Sequence, residues 1–144
     1  MSVEAVSGSA LDVVRAFVER FVRREVDAAL ELLHEDVVVH ECDSVPYAGD
    51  HQGKAAFVAL AVAVRDVWEF KGRPSVRFFE APDGAVAVIR NAAASRATGR
   101  SIDLRFTEVY TVRDGRIAEI EMFYWDTAEM AAVDGGGGAP DARC

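Results

Sequence analysis

The chain is poor in the residues from which several protein classes are built. It holds two cysteines, Cys42 and Cys144, a poor disulfide framework for 144 residues. A reducing, cytoplasmic setting is therefore expected. Positive charge is scarce: 16 Lys and Arg stand against 24 Asp and Glu, a net charge of −8. A nucleic-acid partner needs a concentrated basic surface to meet phosphates, and an anionic membrane surface needs the same sign of charge, so the composition argues against both. No apolar run approaches the roughly 20 residues that span a bilayer. The opening Met1-Ser2-Val3-Glu4 has neither the basic segment nor the apolar core of a signal peptide. No internal repeat is present.

What is present is apolar. Hydrophobic residues make up 51% of the chain, enough for a single globular domain with a core of its own. Ser9 is placed to cap a helix in which Leu11, Val14, Phe17, Val18, Phe21 and Val22 recur at helical spacing. A shorter helix starts at Glu25-Val26-Asp27 and runs through Leu33. A third runs from Lys54 to about Trp68, with Gly72 and Pro74 ending it. From there the period changes to two. Strands are predicted over about Ser75 to Ala81, Ala85 to Arg96, Ser101 to Arg113 and Arg116 to Asp126, with Asp114-Gly115 as the strongest hairpin signal. Thr127 is placed to cap a final short helix through Met130. Helices leading and strands following is an α+β pattern, in which one twisted sheet with helices on one face leaves a cone-shaped cavity. The domain is expected over 8–133, with a flexible Gly-rich tail over 134–144.

The stretch from His34 to Gly53 carries the chemistry. All three histidines lie in it, and its β-branched run ends in His40-Glu41-Cys42-Asp43. Alternation places Glu41 on one face with Val37 and Val39, and His40 with Cys42 on the other. Glu41 thus continues an apolar face, where desolvation would raise its pKa and suit it to proton transfer near neutrality. In the third meander strand, Glu108 and Tyr110 interrupt an otherwise apolar row with Ile102, Leu104, Phe106 and Val112. In the fourth, Ala118, Ile120, Met122 and Tyr124 form the core-facing set. Both faces near the end of that strand are aromatic, which suits a homodimer contact or a pocket rim. His51 is expected in a solvated loop. The spacing of His40, Asp43 and His51 fits no standard metal motif, Cys42 with His40 makes no triad, and no cofactor is implied.

Several of these segments, taken together, resemble a known family. The run Asp36-Val37-Val38-Val39-His40-Glu41 after a helix hairpin, the Pro46-Tyr47-Ala48-Gly49 loop, the helix start at Gly53 and the hairpin Arg113-Asp114-Gly115-Arg116-Ile117 are similar to the SnoaL-like polyketide cyclases. These belong to the nuclear transport factor 2 (NTF2-like) superfamily, with ketosteroid isomerases and limonene epoxide hydrolases. The resemblance covers about Leu11 to Met130. It implies a cone-shaped fold, with a curved antiparallel sheet wrapped around the N-terminal helix hairpin and the third helix. It implies Glu41 as the base and Glu108, with Asp103 as the alternative, as the oxyanion-side acid. It also exposes a departure, because Phe17 stands where the isomerases carry a tyrosine donor. The Asp and Arg set of the epoxide hydrolases has only Arg90 as a candidate. The expectation is a cyclase or isomerase for a bulky hydrophobic polyketide-like or terpenoid-like molecule, with Phe17, Tyr47, Trp68, Phe106, Tyr110 and Trp125 as candidate substrate-binding residues. It would work by carboxylate acid/base chemistry or by holding a reactive fold for cycloaddition. A non-catalytic binding or dimerisation module and an epoxide hydrolase are the alternatives.

Overall fold

The computed structural model describes residues 8–135. Helix α1 (Ala10–Val22) opens on the expected cap: Ser9 accepts from the Asp12 amide while the Asp12 side chain accepts from the Ser9 amide. Val13, Val14, Phe17 and Val18 are its buried face. The short α2 (Val26–Leu30) stops earlier than its apolar period suggests. Leu33 opens strand β1 (Leu33–Glu41) instead, and the Ile117 amide bonds the Leu32 carbonyl at 2.8 Å. Strand β2 (Gly49–Gln52) lies in what reads as loop, and pairs antiparallel with β1 through His40 and Asp50.

Helix α3 (Lys54–Val67) ends at Val67 rather than at Gly72 and Pro74. Trp68 already belongs to strand β3 (Trp68–Ala81), where it pairs with Ser95 and buries its indole. Packing of that large side chain outweighs the helical period that includes it. Gly72 and Pro74 fall where the register between β3 and β4 shifts, between Lys71 and Ser75, a position that suits a proline with no amide to donate. Strands β4 (Gly84–Ser95), β5 (Ser101–Arg113) and β6 (Arg116–Tyr124) complete the expected meander. Helix α4 (Thr127–Val133) is capped by Asp126, one residue before the expected Thr127, because the Asp126 carboxylate accepts from the Glu129 amide at 2.9 Å.

The curved, unclosed sheet has six strands in the order β2-β1-β6-β5-β4-β3. One pairing departs from the antiparallel expectation: β1 runs parallel to β6, with Val39 opposite Ile120. On the outer face His40 ties this junction together, with Nδ1 2.7 Å from Asp50 of β2 and Nε2 2.7 Å from Glu119 of β6. Those two carboxylates hold its pKa above the ordinary value despite partial burial. Helices α1 and α3 pack on the other face. Their Phe17, Phe21 and Phe57 stack or meet edge to face with centroids 5.7–6.1 Å apart, each pair adding about 1 kcal/mol beyond area burial. Helix α4 is held to the β4–β5 turn: Thr98 and Arg100 donate to the Val133 and Ala132 carbonyls, and Ser95 donates to Asp134. The tail expected from Asp134 therefore begins as a bonded residue, and 136–144, with Cys144, lies outside the described residues. Among the described residues no helix is long and apolar enough to cross a membrane.

Gly84 shows how tightly the meander closes. A Cβ built there would lie 1.8 Å from the Tyr110 carbonyl oxygen, a backbone atom that cannot step aside. Gly84→Ala is expected to cost roughly 2–3 kcal/mol. Urea unfolding at neutral pH measures this, and an unchanged midpoint would contradict the close approach.

Candidate active site

Between α1, α3 and the concave face of the sheet lies a cavity of about 610 Å³. Its walls are apolar: Phe17 and Phe21 from α1, Phe57, Leu60 and Val64 from α3, and Phe70, Ile89, Leu104, Phe106, Ile120 and Met122 from the strands. Two carboxyl groups face into it.

The first is Glu41, at the end of β1 on the face it shares with Val37 and Val39, and only 7% exposed. Its Oε1 accepts the Tyr124 hydroxyl at 2.7 Å. The loop after β1 returns Tyr47 to the same corner, where its hydroxyl adjoins that of Tyr124 and accepts the Trp68 indole N–H at 3.2 Å. His51 fixes the loop. A carbonyl can only accept, so His51 Nε2 donates to the Tyr47 carbonyl at 2.9 Å. His51 thus sits half-buried in β2, and the solvated loop expected for it is corrected.

The second is Glu108 on β5, whose Oε1 accepts the Tyr110 hydroxyl at 2.5 Å. The register relates the two carboxyls. Glu108 lies opposite Met122 in β6, and the parallel pairing of His40 with Glu121 carries Glu41 alongside the same Met122. Two strand spacings therefore separate their backbones, roughly 10 Å, with the inward-facing Met122 between them.

Desolvation acts on both. Burial pushes Glu41 up to about 7, against the opposing hydrogen bond from Tyr124 and with help from the nearby Glu108 charge. Burial likewise pushes Glu108 up to about 7, with Tyr110 opposing. The phenols rise as well, Tyr47 to about 12, and Tyr110 and Tyr124 well above their ordinary value, chiefly through burial. Near neutrality, then, each carboxyl can take or give a proton while the phenols stay neutral donors.

Of the expected site residues, Glu41, Glu108, Phe17, Tyr47, Trp68, Phe106 and Tyr110 all line this cavity. Trp125 does not. It lies beyond the end of β6, 70% exposed, with the Arg105 guanidinium 4.1 Å from its ring centroid. Asp103, the alternative to Glu108, is on the outward side of β5 and accepts from Arg90 at 2.6 Å. The same ion pair removes Arg90 from the cavity, and with it the epoxide-hydrolase arrangement. His40 faces outward to Asp50 and Glu119, away from Asp43 and His51.

The profile of a SnoaL-like domain matches residues 14–120. The chain belongs to the SnoaL-like family. No curated protein matches it. Among solved structures, an NTF2-like protein of unknown function from Burkholderia pseudomallei is 27% identical, covering 88% of this chain and 98% of that one with a TM-score of 0.77. A Pseudomonas putida protein assigned as a polyketide cyclase is 22% identical over 82% and 92% of the two chains, with a TM-score of 0.68. TerC, co-crystallised with polyporic acid, is 23% identical over 88% and 98%, with a TM-score of 0.73. These likenesses establish the NTF2-like fold.

Within this SnoaL-like chain, the departure at Phe17 has a structural counterpart. Phe17 packs edge to face on Tyr110 with centroids 6.0 Å apart, and the phenols of the cavity come from Tyr47, Tyr110 and Tyr124 instead. Tyr124 is the partner that sequence reading missed. Alternation in β6 places it on the inner face, but no local signal ties it to Glu41 across the parallel β1–β6 junction.

Both carboxyls titrate near 7 in the folded chain against an ordinary value of 4.5. Between those values the folded chain keeps protons that the unfolded chain has released, so stability falls as pH rises from about 4.5 to about 7 and levels off above. Glu41→Gln preserves the neutral form. It is expected to match the parent near pH 4.5 and to exceed it on the order of 3 kcal/mol at pH 8. Urea unfolding across that pH range measures the difference; a variant less stable than the parent at pH 8 would mean that ionised Glu41 is well solvated.

Proposed function

We propose that this SnoaL-like chain is a cyclase or isomerase for a bulky, largely apolar polyketide-like or terpenoid-like molecule, working by proton transfer. Glu41 takes a proton from carbon next to a carbonyl group. Glu108 or Tyr47 donates toward the oxygen on which charge develops. Positioning a base beside a desolvated C–H and a neutral donor beside the oxygen stabilises an enolate without moving either group. The single observation that carries this reading is the pair of carboxyls, Glu41 buried and Glu108 half-buried, each bonded by a phenol and facing one open apolar cavity. A non-catalytic module would be better served by a cavity filled with aromatic side chains and an exposed Glu41. TerC, with its bound polyporic acid, and the Pseudomonas putida protein assigned as a polyketide cyclase lend support by likeness of fold. The exposed Phe123 and Trp125 at the outer end of β6 support a homodimer, which analytical ultracentrifugation checks.

The chemistry can be read without the natural substrate. Ethyl benzoylacetate carries an acidic C–H between two carbonyls beside an aromatic ring. In D2O the chain is expected to speed deuterium uptake at that carbon above buffer, followed by proton NMR. Glu41→Gln should reduce this by about 10²–10⁴-fold, the range typical of removing a general base. Tyr124→Phe should have a smaller effect. Uptake that survives Glu41→Gln would turn the reading toward a cavity that acts by shape and orientation alone.

A further inference from the structure

The rim of the cavity differs in charge from its interior and from the chain as a whole. Apart from Glu41 and Glu108, the charged side chains of the lining are all arginines, Arg23, Arg24, Arg65 and Arg73, in a protein of net charge −8. They come to this lining from separate elements. Arg23 and Arg24 follow α1, Arg65 is in the last turn of α3, and Arg73 sits where β3 shifts its register. Arg24 and Arg73 are exposed and Arg65 is half-buried.

Several arginines elsewhere are occupied: Arg20, Arg96 and Arg100 donate to carbonyls, Arg90 pairs with Asp103, and Arg105 covers Trp125. Arg23 at least lies 4.0 Å from Glu19. Among the described residues, Arg24, Arg65 and Arg73 have no carboxylate within ion-pair distance. Burial, and then the positive charges of Arg24 and Arg96, pull the Arg65 pKa down. Arg24 and Arg65 thus bring like charges together at a partly desolvated mouth without an ion-pair partner, an arrangement that an incoming anion would relieve.

We propose that the ligand of this cavity is an amphipathic acid, whose apolar body fills the interior and whose carboxylate, or another acid of like charge, is held at the mouth by Arg24, Arg65 and Arg73. This rests on reading the cavity as a small-molecule site. It also orients the ligand. The acid is drawn outward to the arginines and repelled by any charge on Glu41 or Glu108, so the end remote from the acid is the end presented to the two carboxyls.

A matched pair of probes separates this inference from the reading beneath it. 1-Anilinonaphthalene-8-sulfonate and N-phenyl-1-naphthylamine share their rings, but only the first carries an anion. Binding is followed by energy transfer from Trp68 in a Trp125→Phe background, which restricts the signal to the cavity indole. Arg65→Gln, and the double variant Arg24→Gln with Arg73→Gln, should each weaken the sulfonate probe about tenfold or more and the neutral probe less than twofold. Raising NaCl from 0.05 to 0.5 M should weaken only the sulfonate. If Arg65→Gln fails to fold, the double variant at exposed positions decides. Equal effects on both probes, or none, would overturn the acid-binding rim and leave the cavity reading standing. Absence of energy transfer to either probe would overturn both.

Discussion

Strand β1 depends on a partner that the chain makes almost last. It lies parallel to β6, and this pairing lets the Tyr124 hydroxyl reach Glu41 across 83 residues of sequence. Everything the cavity can do follows from that junction. It joins β1 and β2 to the meander, places both carboxyls on strands flanking β6, and lets the β1–β2 loop return Tyr47 to the same corner. His40 reinforces it from the solvent side by bonding to the neighbouring strand on either hand. A parallel pair needs a long connection. Here that connection contains α3 and the whole meander, so the site cannot form before most of the fold has formed.

Much of the fold was legible because its signals are local. The capping box at Ser9, the helical spacing from Leu11 to Val22, the Asp114-Gly115 turn and the two-residue alternation around Glu108 each depend on a few neighbouring residues. Alternation alone placed Glu41 and Glu108 on the inner face and His40 on the outer one. The misreadings have equally physical origins. The short β2 has the polar composition of a loop and becomes a strand only because β1 offers it an edge. Trp68 fits the α3 period but is claimed by β3. Trp125 is aromatic and close in sequence to Tyr124, yet it follows the end of β6, where alternation no longer holds, and it settles on Arg105. The Tyr124 partnership depends on a long-range register that no nearby residue announces.

The charge distribution of the cavity has two tiers. Inside, the low-polarity walls keep carboxyls close to neutral; at the mouth, arginines keep full charge at the price of mutual repulsion. A ligand that crosses this boundary would experience opposite selections at its two ends, favouring an uncharged, proton-exchanging head and a permanently acidic tail.

The hydroxyls of Tyr124 and Tyr110 each have one hydrogen, and both are committed to the Oε1 atom of their glutamate. While the carboxyl is ionised, the oxygen that accepts the phenol is the less basic of the two. An arriving proton therefore finds Oε2 the better acceptor. In the ionised state each residue thus offers one oxygen held by its phenol and one open to exchange.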